Sequence, residues 1–250
     1  MKYIKKPKKP EPKATNEKPQ FPMRINKYLA LQKHATRRGA DEIIEKGLVF
    51  INGTKAQLGA KVNETDKVEV RFRGPRKKLL YFAYNKPRGI VTHSAQGNNK
   101  DIDDVLPIDG VFPLGRLDKD SHGLILLTND GRATERLLGP KYEHEKEYAV
   151  KTKNILRKSF KEKMEAGVRI ENEMTKKCKV EILSNSSFSI VLTEGKKHQI
   201  RRMCSTLFQE IEDLKRIRVM NIRLGDLGGG GYRPIEGKEL EDFLRALELA

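Results

Sequence analysis

Gly115-Arg116-Leu117-Asp118-Lys119-Asp120-Ser121-His122-Gly123 runs directly into Leu124-Ile125-Leu126-Leu127-Thr128-Asn129-Asp130-Gly131. Asp118 stands beside an arginine in a turn bounded by two glycines. The turn feeds an apolar run of strand length. This order puts a carboxylate at the mouth of a sheet, where a ligand can reach it. An acid that close to a core is costly unless it is paired, so the position points to a function.

Outward from this run, strand and helix patterns intermix. Leu80, Phe82 and Tyr84 alternate with Tyr81 and Ala83 as in a strand. Asn85 to Gly89 breaks the pattern and Ile90-Val91-Thr92 resumes it, with a polar loop expected over 94–104. Strands are predicted at Leu124–Thr128, Lys146–Val150, Lys177–Leu183, Phe188–Thr193 and Lys215–Ile222. Helices are predicted at Ala133–Leu138, Ile155–Ala166, His198–Leu207 and Lys238–Leu249. The pattern argues an α+β domain on a large, mostly antiparallel mixed sheet over 79–250. Gly228–Gly231 is expected to be flexible. It follows no strand–helix phosphate-loop pattern, so it is not a nucleotide cradle.

The 250 residues carry a formal charge of +17 and a pI near 9.8. Such a field attracts polyanions, nucleic acid above all. Residues 1–22 are Lys/Pro-rich and are expected to form a disordered basic arm. The remainder is still strongly basic without that arm. Cys178 and Cys204 form no CxxC pair, which argues against a zinc site and for two reduced thiols. No apolar segment approaches the length of a membrane span, and no apolar run follows the basic N-terminus as a secretory signal requires. A cytoplasmic, monomeric protein is expected.

Residues 23–73 form a second compact unit, followed by a polar basic linker at 74–78. Ile25, Tyr28 and Leu29 share one helical face. Thr36 is placed to cap a second helix carrying Ala40, Ile43 and Ile44 and stopping at Gly47. Val49–Ile51 leads into a tight Asn52-Gly53 turn, and Asp66–Arg71 forms a further strand. The unit resembles the S4 RNA-binding module. Arg24, Lys27, Arg37, Arg38 and Lys46 lie on or beside its helices and are the candidate phosphate contacts. Two arginines opening a helix oppose its dipole, which favours a binding role over a solvated face.

Gly-Arg-Leu-Asp, two residues, Ser, one residue, Gly, then a Leu/Ile run and Thr-Asn-Asp-Gly resembles the catalytic motif of the RsuA/RluB/RluE/RluF family of pseudouridine synthases. Asn85-Lys86-Pro87-x-Gly89, Lys146-x-Tyr148-x-Val150, Gln199-Ile200-Arg201-Arg202-Met203 and Gly231-Tyr232-Arg233-Pro234 are similar to further segments of that family. Several stretches, among them His144–Tyr148 and Arg218–Ile222, resemble its RluF-type enzymes of large-subunit ribosomal RNA. Lys196-Lys197-His198 departs from the family's usual Asn/Arg-rich stretch, and the tetraglycine is unusual.

The resemblance implies an isomerisation. The uridine N1–C1′ bond breaks, the uracil turns, and C5 bonds to C1′. Nothing is oxidised and no group is imported, so neither cofactor nor metal is expected. Asp118 is then the catalytic carboxylate, Arg201 pairs with it and holds it ionised, and Tyr148 holds the uracil of a flipped nucleotide. Arg116 contacts RNA or fills the vacated space, the alternative being a salt bridge with Asp120. His122 reads as a loop histidine. An Asp118/Asp120 glycosidase pair is disfavoured, because the chain lacks aromatic platforms for a sugar. The implied substrate is 23S ribosomal RNA. The alternatives are transfer RNA or 16S RNA, or a noncatalytic RNA-binding assembly factor on the same scaffold.

Overall fold

The computed structural model describes residues 20–32, 37–71, 78–93, 99–139 and 141–250. The chain divides into two units, Met1–Pro75 and Arg76–Ala250. Residues 1–19 of the expected arm, Thr36 with its expected cap, and 74–77 of the expected linker lie outside the described residues.

In the first unit, β1 (Met23–Arg24) leads into α1 (Ile25–Leu31), and α2 (Arg37–Glu45) follows. Ile25 and Leu29 pack with Ala40, Ile44 and Val49 in one core, as their helical spacing predicts. Gly47 ends this helical segment at φ +65°. β2 (Val49–Ile51) turns through Asn52 and Gly53, both at positive φ, into β3 (Thr54–Lys55). That is the geometry a two-residue hairpin prefers. β4 (Lys61–Val62) pairs with β1, and β5 (Val68–Val70) pairs with β2. The expected strand Asp66–Arg71 shortens to β5. The Asp66 carboxylate is taken instead by the Asn63 N–H and the Asn52 amide.

The second unit is built on a nine-stranded sheet. Its first long strands are β6 (Tyr81–Lys86) and β8 (His122–Thr128), with α3 (Ile102–Val105) and β7 (Phe112–Leu114) between them in sequence. α4 (Arg132–Leu138) leads to β9 (Lys146–Thr152). α5 (Phe160–Glu165) and a short hairpin, β10 (Arg169–Ile170) with β11 (Glu173–Met174), precede β12 (Lys179–Ser184) and β13 (Ser187–Leu192). α6 (Gln199–Thr206), β14 (Ile211–Val219), β15 (Ile222–Arg223), β16 (Tyr232–Pro234) and α7 (Gly237–Ala246) complete the chain. The main path runs β12-β13-β9-β14-β8-β6-β16. Its one parallel step is β14 on β8; the other pairs are antiparallel.

β8 is buried on both faces. Leu124 and Leu126 join the core beneath α4 and α7, while Ile125 and Leu127 join a smaller one with Tyr84 and Ile102. Two buried faces explain why this strand reads as an unbroken apolar run. Val150, Phe188, Ile190 and Leu214 form a third core with α5 and α6.

Five expectations change. β6 continues through Asn85 and Lys86. There the Asn85 N–H donates to the Gly231 carbonyl and Gly230 N–H to the Asn85 carbonyl, at 2.9 and 2.8 Å. The tetraglycine is therefore fastened to β6 rather than loose. Ile90–Thr92 is not a strand; Val91 makes a single bridge to Asp101. The loop expected at 94–104 contains the start of α3, capped by a reciprocal Asp101/Asp104 box. The helix expected at 155–166 begins only at Phe160. Before it, Leu156 N–H donates to the Asn185 carbonyl, which holds the segment off the helical path.

Candidate active site

The turn Arg116–Ser121 joins β7 to β8, and its backbone is held from several directions. The Thr92 hydroxyl donates to the Leu117 carbonyl at 2.7 Å and accepts from the Leu117 N–H at 3.0 Å. Gly89 N–H donates to the Lys119 carbonyl at 2.9 Å. Arg201 Nη2 donates to the Asp120 carbonyl at 3.0 Å and to Ser121 Oγ at 3.3 Å. Arg216 Nη1 reaches the Arg116 carbonyl at 3.4 Å, while its Nε donates to the Leu124 carbonyl at 2.6 Å. Groups so held lose little further freedom when a ligand binds. The Asp118 carboxylate is left projecting into the adjacent cleft, its side chain 38% exposed.

That cleft has a volume of about 500 Å³, within the range of small-ligand sites. Asp118, Tyr148, Arg116 and Arg216 line it, with Lys146, the 193–200 segment and the apolar side chains Leu114, Leu137 and Leu192. Tyr148 and Arg216 face each other across the β9–β14 ladder, so one register brings the phenol and the guanidinium to the same wall. Six Lys or Arg side chains line the cleft against three carboxylates, a balance that suits a phosphate backbone.

Gly123 makes the junction possible. It sits at φ +104°, paired with Arg216 across the parallel step. A Cβ there would lie 2.3 Å from the Arg216 carbonyl oxygen and 2.8 Å from its nitrogen. Only glycine lets β14 come this close to the end of the turn.

A buried lysine and a half-buried one shape the field. Lys86 has no solvent exposure and donates to the Pro87 and Ile90 carbonyls at 2.9 and 2.7 Å. Burial and then the Arg216 charge push its ammonium down to about 8, against the opposing pull of the Asp118 and Asp120 carboxylates. Lys146 is likewise lowered by burial and by Arg216, and donates to the His144 carbonyl at 3.2 Å. Burial raises both thiols, Cys178 to about 11 and Cys204 to about 12, so neither supplies a thiolate near neutral pH. Among the described residues, no cluster of His, Cys, Asp or Glu could hold a metal ion.

Asp118, Tyr148 and Arg116 thus meet in one cleft. The expected Arg201–Asp118 ion pair does not form. Arg201 lies behind the turn and holds its backbone, and the ionisable partner beside Asp118 is His198, Nε2 to Oδ1 at 3.6 Å. Arg116 forms no ion pair among the described residues, with Asp120 or otherwise. His122 is bonded to Asp213 at 2.7 Å, and Arg88 pairs with the same carboxylate. Arg24, Lys27 and Lys46 are exposed on the first unit. Arg37 opens α2, but its side chain and that of Arg38 lie outside the described residues. Sequence reasoning missed Arg216, Thr92 and His198. For Arg216 a signal existed, since it shares the strand face of Leu214, an inward charge in an apolar strand.

Comparison with known proteins agrees with this geometry. Residues 80–206 match the family described as RNA pseudouridylate synthase, and residues 23–68 match the S4 domain. The chain is 40% identical over 235 residues to the dual-specificity RNA pseudouridine synthase RluF of Escherichia coli strain K12, covering 92% of this chain and 81% of that one. It is 35% identical over 236 residues to the ribosomal large subunit pseudouridine synthase B of Bacillus subtilis strain 168, covering 90% and 96%. A crystal structure of a pseudouridylate synthase superposes with a TM-score of 0.66 at 27% identity, covering 90% of this chain and 99% of that one.

Proposed function

The chain belongs to the RNA pseudouridylate synthase family, and on that premise we propose that it isomerises uridine in 23S ribosomal RNA, with Asp118 as the catalytic carboxylate. The observation that carries the assignment is the turn itself: four residues from three separate segments fix its backbone, and the side chain it presents to the cleft is an acid. The large-subunit target is supported by the relative named for that subunit and by the cationic cleft lining.

In the proposed reaction the target nucleotide leaves its stack and enters the cleft. Asp118 acts at the sugar or the base while the N1–C1′ bond breaks. The uracil turns against Tyr148, C5 bonds to C1′, the C5 proton is lost and N1 takes one up. Atoms and electrons balance without a co-reactant. Tyr148 supplies a flat surface that holds the detached base. Arg201 acts as a positioning residue, fixing the Asp120 carbonyl and Ser121 so that Asp118 stays aimed. Arg116 lines the cleft and in this reading contacts the RNA backbone. Arg24, Lys27, Arg37, Arg38 and Lys46 of the S4 unit contribute phosphate contacts that set affinity rather than chemistry.

The test is carbodiimide-adduct primer extension on 23S RNA treated with the native chain and with Asp118→Asn. The expected result is a new stop with the native chain and none with the variant, while filter binding to the RNA is retained. Unimpaired turnover by Asp118→Asn removes the assignment of the carboxylate. The name of the Escherichia coli relative says dual specificity, which favours a second RNA target. The same assay on transfer RNA tests it.

A further inference from the structure

Phe208 follows α6 with its backbone at φ +58°. This left-handed region disfavours every residue that carries a Cβ. Burying the ring would compensate, yet Phe208 is 74% exposed. Ile155, at 71%, is the next most exposed large apolar side chain among the described residues. The two segments are tied together: Gln209 Nε2 donates to the Ile155 carbonyl at 3.5 Å, and Lys153 N–H donates to the Glu210 carbonyl at 2.9 Å. The guanidinium of Arg157 lies over the Phe208 ring, 5.1 Å from its centroid, and has no carboxylate partner among the described residues. A strained backbone that holds an aromatic ring in water is an outlier from which function is fairly inferred.

We propose that Phe208, Ile155 and Arg157 form a stacking platform for an unpaired nucleobase of the RNA substrate. The inference rests on the RNA-modifying reading above. A phenyl ring and a guanidinium both offer flat faces to a base, and stacking of this kind tolerates any base. Position supports it. His198, at the start of α6, stands beside Asp118, and the eight residues of α6 lead from there to Phe208. That helix is about 12 Å long, a length that about three or four stacked nucleotides span at roughly 3.4 Å each. A strand whose uridine enters the cleft therefore has a neighbouring base within reach of the ring. A protein partner or second copy fits less well, because the apolar area is small and the cation over the ring is Arg157, with Lys153 nearby paired to Glu210.

The chain contains no tryptophan, so Phe208→Trp installs a single fluorescent reporter. The probe is a single-stranded oligoadenylate of about twelve nucleotides, with a blunt RNA duplex as control. Quenching by the single strand and not by the duplex is expected. Phe208→Gly suits the backbone angle, so the fold should hold. By anisotropy of the labelled oligoadenylate its affinity should fall roughly five- to hundredfold. On 23S RNA this variant should raise KM and leave kcat at saturating RNA unchanged. An unquenched Phe208→Trp that still binds the strand, or an unchanged affinity of Phe208→Gly, overturns the platform and leaves uridine isomerisation standing. Emission that shifts with protein concentration alone, together with dimer sedimentation, assigns the surface to a second copy and also overturns it. If the native chain isomerises no uridine but the oligoadenylate results hold, the catalytic reading fails and the platform stands.

Discussion

Replacing Gly123 by alanine tests the join between the sheet and the turn that carries Asp118. The added Cβ would lie 2.3 Å from the Arg216 carbonyl oxygen, about 1 Å inside a normal carbon–oxygen contact of roughly 3.3 Å. The obstacle is backbone, so no rotamer relieves it. β8 and β14 must separate, and the parallel bridges His122–Lys215 and Gly123–Arg216 lose their hydrogen bonds at about 1 kcal/mol each. The backbone angle of +104° adds about 1–3 kcal/mol once a Cβ is present. Together these destabilise the catalytic unit by roughly 3–5 kcal/mol, a melting shift on the order of 10 °C for a unit of this size. The separation also displaces the turn, and a misplacement near 1 Å costs about a hundredfold in rate. Urea and thermal unfolding by circular dichroism, with single-turnover pseudouridine formation, measure both effects. Gly229→Ala, where a Cβ meets nothing within 4 Å, is the matched control. A Gly123→Ala chain that melts with the control and turns over at the native rate would refute the close-approach argument.

Three further outcomes are expected. Arg201→Lys replaces a rigid fork by a shorter, freely rotating ammonium and weakens a charged hydrogen bond to the turn; kcat should fall about tenfold, with KM unchanged. The conservative Arg201→Lys should retain more activity than Arg201→Ala, and equal activities would contradict a positioning role. Lys86 titrates near 8 in the fold against 10.5 for the ordinary group, so between those values the unfolded chain holds a proton the fold has shed. Stability from this group therefore rises with pH across that window. The native chain should gain up to about 3 kcal/mol over Lys86→Met between neutral and strongly alkaline pH, and a constant difference would argue that Lys86 is not perturbed. RNA affinity should fall with salt with a logarithmic slope steeper than about −2, three phosphates at roughly −0.7 each; a flat response would make the cationic lining incidental.

Much of the architecture was legible because its signals are local. The Asn52-Gly53 hairpin, the unbroken run of β8 and the amphipathic faces of α1 and α2 each declare themselves within a few residues. Asp118 was legible for the same reason, since its turn and the strand behind it are contiguous. What escaped depends on partners far away in the chain. The Arg216 contacts lie 92 and 100 residues distant; its place on the strand face of Leu214 hints at an inward charge but not at the carbonyls it meets. Ile90–Thr92 carries strand-like side chains, but its polar groups serve the site instead of a ladder: the Ile90 carbonyl accepts from Lys86 and the Thr92 hydroxyl clasps Leu117. Helix propensity over 155–159 yields to the bond between Leu156 and Asn185. The expected Arg201–Asp118 pair fails through an offset of two to three residues. The guanidinium arrives at the right turn and grips Asp120 and Ser121 in place of the acid.

The braces on that turn come from residues 89, 92, 201 and 216, so half of them are made late during translation. A growing chain that has already exposed Asp118 still lacks the two arginines that fix its aim, and the β14 ladder that seats one of them is not yet formed. The turn therefore reaches its braced geometry only once α6 and β14 have been made and have docked against it.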